Sequence, residues 1–471
     1  MRRVLLINPW IYDFTAFDFW LKPLGMLYVA GTLEKYGYKV YLIDCLYRHD
    51  PDFKEFLRRG NYTKFDDESY GVGHFFNEVI EKPDIFRDIP RYYKRYGLPL
   101  DIFYQKLQNI PKPDVIGITS GMTYWYPGVF KAIEIIKEKF KGVSVVLGGI
   151  YATLCYEHAV KKSGADYIIR GPGELAMLKL VDQICGIKRD YSDFPSSINT
   201  MPFPAYNLYP YLSSVSVIAS LGCPLRCSYC ASSVLQPKFR YRDATSFIKE
   251  LEIYTNRNIS DVAFYDDALL WKHQRFVDEI LSKIIEKNFR VRFHTPNGIH
   301  AKEVDINLAR KLFQANFKTL NIGLETTDEE HQKTISSGKV TNEEFERCVR
   351  NLKQAGFGEK NLKAYVMIGL PEQSVEEIIN TFEFVYKLDI RFYVSQFSPV
   401  PGTVEFKKAV ELYGLDPTEP LNTNKTAYPL RHRVISFEIY EKIRNFAKFL
   451  NKNLGKRLNV KLEAKKFGIL S

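Results

Sequence analysis

Three of the chain's seven cysteines lie within eight residues, at Cys223, Cys227 and Cys230. Thiolates are soft ligands that suit an iron-sulfur cluster, and the short loop lets all three point at one centre. A cubane cluster needs a further ligand, and no other Cys or His lies nearby, so we expect one iron to stay open to a group from outside the protein. A structural zinc site is the alternative, but closed zinc sites normally show two pairs of ligands.

The remaining cysteines are scattered, which is typical of a reducing cytoplasm rather than of a disulfide framework. An auxiliary cluster would need more grouped cysteines, so one cluster is expected. A composition of 45% hydrophobic and 26% charged residues indicates a globular protein. No apolar run reaches the roughly 18 residues that a membrane span needs.

The first half of the chain contains five short apolar runs separated by helical patterns: residues 4–7, 40–43, 115–118, 143–147 and 167–169. This alternation predicts an α/β domain over residues 1–190, with a parallel Rossmann-like or flavodoxin-like sheet covered on both faces. Ligands of such sheets bind at the carboxyl ends of the strands, here the loops beginning at Asn8, Ser120 and Gly148. No GxGxxG follows the first run, so the dinucleotide fingerprint is missing.

Two irregular segments interrupt this pattern. The insertion at 46–112 is rich in Tyr, Phe and Arg, and we interpret it as a lid over the cofactor cleft, although basic residues among aromatics could also stack nucleic-acid bases. The segment 191–212 carries prolines at 202, 204 and 210 and is expected to be a linker.

The second half contains six further runs: residues 215–219, 262–265, 291–294, 319–322, 362–368 and 392–395. Six βα units predict a partial TIM barrel over 213–405, with its site at the carboxyl ends of the strands. A helical extension over 406–471 follows, and from residue 425 onwards it holds twelve Lys or Arg against three Glu. Its amphipathic pattern at 434–454 predicts a helix packed on its own domain, with contact to an anionic membrane or nucleic acid as the alternative.

The CxxxCxxC motif, with Tyr229 before its last Cys, resembles the signature of the radical S-adenosylmethionine (SAM) enzymes. The resemblance implies a [4Fe-4S] cluster whose open iron is chelated by SAM, and reductive cleavage of SAM to a radical that abstracts hydrogen. It also assigns residues to SAM, with Tyr265-Asp266-Asp267 in place of the usual GGE at the end of the second strand. The SAM set is Tyr229, Asp266, Glu325, Met367 and Gly369.

The first half is similar to the cobalamin-binding domain that precedes the catalytic domain in one branch of that family. The matching features are Gly148-Gly149, the Gly171-Pro-Gly-Glu174 turn, and Ser120-Gly-Met122 in place of SxL. DxHxxG is absent from residues 8–31, which implies cobalamin held without a histidine ligand, or a domain that has become a scaffold. The residues expected to contact cobalamin are Asn8, Ser120, Gly148 and Gly149.

The resemblance as a whole is to the class B radical SAM methyltransferases, and it implies a cobalamin-dependent enzyme that methylates an unactivated carbon. The same architecture could instead perform cyclisation, oxidation or carbon-carbon coupling, and a nucleic-acid-binding module is the non-enzymatic alternative. A small-molecule, lipid or peptide substrate is expected, with flavodoxin or ferredoxin as electron donor, in the cytoplasm or peripheral to a membrane. Nucleic acid is the less favoured partner.

Overall fold

The computed structural model describes residues 1–62 and 64–470. Position 63, inside the predicted insertion, and position 471, at the end of the predicted extension, lie outside the described residues. The chain divides into two compact units: Met1–Ser216 with Pro417–Ala427, and Val217–Asp416 with Tyr428–Ser471. The domain limits inferred from the sequence remain predictions.

The first unit is built on a parallel sheet in the order β5-β4-β3-β1-β2. Its strands are β1 Arg3–Asn8, β2 Lys39–Asp44, β3 Val115–Ile118, β4 Ser144–Leu147 and β5 Tyr167–Ile168. The helices are α1 Leu24–Lys35, α2 Pro51–Arg59, α3 Leu100–Asn109, α4 Tyr126–Lys139, α5 Ile150–Leu154, α6 Tyr156–Lys162 and α7 Glu174–Ile184. Alternate residues of β1 enter two separate cores, Leu5 and Ile7 on one face and Val4 and Leu6 on the other. Both faces of the sheet are therefore covered, as the apolar runs predicted.

The predicted insertion folds against the segment that follows β1. Two of its short strands pair antiparallel with that segment, Lys94–Tyr96 with Ile11–Asp13 and Gly73–His74 with Phe17–Asp18, and Asn77–Val79 pairs with Lys94–Tyr96 on its other side. The returning segment Pro417–Ala427 also binds there, because the buried Asp13 carboxylate accepts hydrogen bonds from Thr426 and from Asn424.

The second sheet has six strands in chain order, and neighbours from β7 to β11 pair in parallel. Its strands are β6 Ser214–Val217, β7 Asp261–Phe264, β8 Arg292–Ile299, β9 Phe317–Glu325, β10 Leu362–Ile368 and β11 Arg391–Gln396. The helices are α8 Ser232–Leu235, α9 Ala244–Thr255, α10 Val277–Glu286, α11 Ile306–Gln314, α12 Glu329–Thr334, α13 Asn342–Gln354, α14 Val375–Lys387, α15 Val404–Tyr413, α16 Phe437–Lys452 and α17 Val460–Lys466. The α/β fold class predicted from the sequence is confirmed.

The amphipathic segment of the tail forms α16, which packs on the edge strand β11. Its buried stripe includes Ile443, Phe446 and Leu450. The Asn451 side chain accepts from the Phe392 N–H at 3.0 Å and donates to the Phe392 carbonyl at 2.8 Å. An amide side chain thus satisfies backbone groups that an edge strand leaves open. Across the described residues, none of the helices has the length and apolar character to cross a membrane.

Candidate active site

The cysteine loop leaves the carboxyl end of β6 and is closed by a two-stranded ribbon of Ser220–Leu221 with Arg240–Tyr241. Below the ribbon, the Arg242 guanidinium donates to the Ile218 carbonyl at 3.3 Å and forms an ion pair with Glu250. Both side chains of the pair are only 1% exposed. A buried ion pair therefore anchors the backbone that leads into the loop.

Asp266, at the end of β7, also holds the start of this loop. Its carboxylate accepts from the Ala219 N–H at 3.0 Å and from the Ser220 hydroxyl at 2.6 Å. Burial raises the pKa of Asp266 to about 7, although these hydrogen bonds favour the ionised form. Asp266 therefore acts on the loop backbone, and it is the next residue, Asp267, that lines the cleft described below.

The three clustered thiols are free of disulfides. The Cys227 sulfur lies 3.4 Å from the Ser336 carbonyl oxygen, and the Cys230 sulfur lies 3.4 Å from the Ser232 hydroxyl. Burial raises the pKa of Cys223 to about 11, and the two neighbouring thiols add to the effect. Binding to iron would relieve this repulsion between thiolates.

Over the part of the chain that the structure describes, no set of three His, Cys, Asp or Glu residues converges on a single ion position. This spacing does not conflict with a cubane cluster, because each thiolate of such a cluster binds a different iron. Three free thiols on one loop, without a further protein ligand beside them, fit a [4Fe-4S] group better than a closed zinc site.

A second segment, residues 335–339, packs against the cysteine loop. The Ser228 N–H donates to the Ile335 carbonyl at 2.8 Å, and the Lys339 ammonium donates to the Tyr229 hydroxyl at 3.2 Å. The same ammonium lies 2.5 Å from a Glu325 carboxylate oxygen. The loop and the end of β9 are thus bridged by one buried cation.

Beside this bridge lies a cleft whose empty volume, counted together with the space at its mouth that is open to solvent, is about 400 Å³. It opens at the carboxyl ends of β7, β8 and β9, where the sequence predicted the site. Its wall residues are Asp267, Asn297, Gly298, Ile299, His300, Ala301, Gly323, Glu325, Lys339 and Tyr365. Burial lowers the pKa of His300 to about 4, so this imidazole is neutral near pH 7.

Glu325 reaches the cleft through an unusual backbone. Its φ is 68°, in the left-handed region that favours glycine, and the register between β9 and β10 shifts between Gly323 and Glu325. Conformations of this kind persist where surrounding contacts hold them, and they are frequent at functional sites. The strain turns the carboxylate towards Lys339, a residue that the sequence reasoning missed and that no motif could have indicated.

Met367 and Gly369, predicted to contact SAM, do not line this cleft. Met367 is 8% exposed and lies in an apolar cluster that also contacts Tyr229. Gly369 has φ of 80°, its N–H is bonded to the Gln373 side chain at 2.8 Å, and a Cβ here would overlap the Tyr428 ring. The structure therefore brings Tyr229 and Glu325 together, whereas Met367 and Gly369 are not among the residues that line the cleft.

The residues predicted to contact cobalamin divide in the same way. Asn8 is 8% exposed and its side-chain amide donates to Asp44 at 2.7 Å, so it already contacts a partner within the fold. Ser120 and Gly149 meet at the ends of β3 and β4, where a Cβ on Gly149 would lie 2.7 Å from the Ser120 carbonyl oxygen. A Cβ on Gly148 would meet nothing nearer than 3.9 Å, which leaves room there for a bulky group.

Two family models match this chain, one in each half. The Radical SAM superfamily model matches residues 217–385, and the B12 binding domain model matches residues 101–181. An uncharacterised methyltransferase of Pyrococcus horikoshii is 26% identical over 67% of this chain and 74% of its own length. The anaerobic magnesium-protoporphyrin IX monomethyl ester cyclase of Rubrivivax gelatinosus is 25% identical over 58% of this chain, which spans about half of that relative, at 54%.

Among solved structures, the radical S-adenosylmethionine methyltransferase TsrM from Kitasatospora setae superposes with a TM-score of 0.62 at 17% identity. The match covers 88% of this chain and 77% of that one. At this identity the likeness speaks for the fold.

The chain carries a Radical SAM superfamily domain and, ahead of it in the sequence, a B12 binding domain. It is therefore an enzyme, and a [4Fe-4S] cluster, SAM and cobalamin are its cofactors. These two domains and the similarity to the methyltransferase of Pyrococcus horikoshii support a cobalamin-dependent radical SAM methyltransferase.

Proposed function

We propose that the protein methylates an unactivated carbon of its substrate, and that the three clustered thiols hold the [4Fe-4S] group. The observation that carries this proposal is the loop of free thiols at the carboxyl end of β6, next to a cleft walled by carboxylates and one ammonium. When bound, the cluster with SAM supplies a hydrogen-abstracting radical, and cobalamin supplies the methyl group.

The residues proposed for SAM follow from the cleft. Asp267 lies in its wall and takes the place of Asp266 as the partner of the SAM amino group, since a carboxylate accepts hydrogen bonds from an ammonium. Glu325 can accept from the ribose hydroxyls, because an ionised carboxylate is an acceptor only. Tyr229, held by Lys339, orients the loop beneath.

In the first unit, Ser120, Gly148 and Gly149 are proposed to lie along the cobalamin. The space beyond Gly148 supports this assignment. Asn8 supports the site only indirectly, by holding Asp44 at the ends of β1 and β2.

The test is anaerobic purification with reconstituted iron and added hydroxocobalamin, followed by iron, sulfide and cobalt analysis. About four irons and about one cobalt per chain are expected. Serine in place of all three clustered cysteines should abolish iron binding, whereas C348S, a buried cysteine of α13, should retain it. A triple variant that binds as much iron and sulfide as the parent would refute the assignment.

Ring formation is the second candidate reaction, favoured by the similarity to the cyclase of Rubrivivax gelatinosus. The two reactions differ in their products. Methyl transfer gives S-adenosylhomocysteine as well as 5'-deoxyadenosine, whereas ring formation without methylation gives only the second. Both products should therefore be measured with any candidate substrate, whether small molecule, lipid or peptide.

A radical SAM enzyme needs a one-electron reductant, and we propose flavodoxin or ferredoxin for this role.

Helix α17 carries three exposed lysines, Lys461, Lys465 and Lys466. They flank Leu462, which is 50% exposed. They support peripheral contact with an anionic membrane. Co-sedimentation with anionic and neutral vesicles at low and high salt would test that contact.

A further inference from the structure

The bridge between the cysteine loop and the end of β9 depends on a single side chain. Lys339 is 12% exposed and Glu325 is 10% exposed, with 2.5 Å between ammonium and carboxylate. Burial by itself would lower the pKa of Lys339, but Glu325, Tyr229 and Cys227 together raise this pKa well above its ordinary value. Lys339 is therefore a permanent cation at physiological pH.

Its position is defined relative to the predicted cluster ligands. The ammonium lies 3.2 Å from the Tyr229 hydroxyl and 5.9 Å from the centre of the Tyr229 ring. Tyr229 stands between Cys227 and Cys230 in the chain, with one residue on the first side and none on the second. Three residues before Lys339, the Ser336 carbonyl oxygen approaches the Cys227 sulfur at 3.4 Å.

Charge balance gives this position its significance. Among the described residues that line the cleft, Lys339 is the one Lys or Arg. Asp267 and Glu325 in the same wall are acidic, and His300 is neutral. Three thiolates together with the reduced cluster core that they bind would add a net negative charge beside them. In a low-dielectric environment, an ammonium held against the cysteine loop lowers the cost of adding an electron.

We propose that Lys339 tunes the reduction potential of the [4Fe-4S] cluster, as a fixed cation held against the cysteine loop by Glu325 and Tyr229. This role rests on the proposed function, since it requires the cluster on these cysteines. The electron itself comes from a one-electron donor protein, or from dithionite in the laboratory. The positive charge of Lys339 makes reduction of the cluster easier, but Lys339 does not itself transfer the electron. It is therefore a positioning residue and not a catalytic one.

A purely structural role for Lys339 makes a different prediction. A brace between loop and strand would affect how much cluster is retained and how easily the protein unfolds. It would not change the potential of those molecules that retain a full cluster. The potential therefore separates the two roles, and activity of the complete enzyme is not needed as a readout.

The experiment is a potentiometric titration of reconstituted protein without SAM, with dithionite and mediators, followed by electron paramagnetic resonance of the reduced cluster. We expect K339Q and K339M to have a more negative midpoint potential than the parent, and K339R to stay near it. K302M is the control: it removes a lysine whose side chain is 54% exposed, and it should leave the midpoint potential unchanged. The double variant E325Q/K339Q, which removes both charges, should lie between K339Q and the parent.

A midpoint potential of K339Q equal to that of the parent, at equal iron content, would overturn the proposal. If K339M fails to retain iron, K339Q decides the question, because Gln can still hydrogen-bond Tyr229 and Glu325. Failure of the parent to assemble a cluster would instead refute the proposed function, and iron analysis shows this before any potential is compared.

Discussion

Gly148 and Gly149 are adjacent, yet the structure requires them for different reasons. Gly149 has φ of 92° and ψ of −165°, which residues with a side chain rarely adopt. A Cβ here would lie 2.7 Å from both the Ser120 carbonyl oxygen and the Thr119 hydroxyl. At Gly148 the nearest atom would be the Ile169 carbonyl oxygen, 3.9 Å away.

The expected magnitudes follow from these distances. In G149A, backbone strain costs about 1–3 kcal/mol and overpacking against backbone a further ~1–3 kcal/mol. The free energy of unfolding should therefore fall by about 2–6 kcal/mol in G149A, and change by less than about 0.5 kcal/mol in G148A. G25A, in the first turn of α1 with open space around its Cβ, is the control and should gain about 0.5–1 kcal/mol.

Urea unfolding followed by fluorescence measures these values, and hydroxocobalamin binding to the folded variants measures the second role. G148A and the bulkier G148V should remain folded but bind hydroxocobalamin more weakly, because their side chains occupy the space assigned to the cofactor. An unfolding midpoint of G149A equal to that of the parent would refute the steric reasoning. Parental cobalamin affinity in G148V would refute the placement of the cofactor.

Three further predictions concern the catalytic unit. D267N should weaken SAM binding about 10-fold to 100-fold, since a charge-assisted hydrogen bond is lost, and equilibrium dialysis giving an unchanged affinity would contradict the assignment. Burial raises the pKa of Asp266 to about 7. The folded protein therefore keeps a proton on this carboxyl that the unfolded chain loses above a pH of about 4. The free energy of unfolding should fall as pH rises between these two values. D266N should remove that part of the slope, and equal slopes in urea titrations of parent and variant would count against it. R242M leaves Glu250 buried without its cation and should cost about 3–5 kcal/mol, while K302M should cost less than about 0.5 kcal/mol; similar losses in both would disprove the anchoring role.

The sheets could be predicted closely from the sequence. The run 362–368 was predicted with the bounds that β10 has, and the run 115–118 with those of β3. Short β-branched runs between helical periods are a local signal, and they depend little on what packs against them. The cysteine triplet is equally local, because its ligand spacing lies within one loop.

The contacts that organise the site are not local. Glu325 and Lys339 are fourteen residues apart, and Tyr229 lies 110 residues before Lys339. No periodicity marks a lysine that will be buried, and no motif distinguishes Asp266 from Asp267. The choice between those two carboxylates depends on which one the Ser220 loop captures, and only the folded backbone decides it.

The amino-acid sequence alone was thus sufficient to predict the parallel sheets, the thiol loop and the class of chemistry, because each depends on residues that are close together in the chain. Tertiary structure decided which side chains face the cleft, how Glu325 turns through its left-handed backbone, and where the Lys339 cation lies. These properties arise from desolvation and from distances between distant segments, and neither exists until the chain has folded.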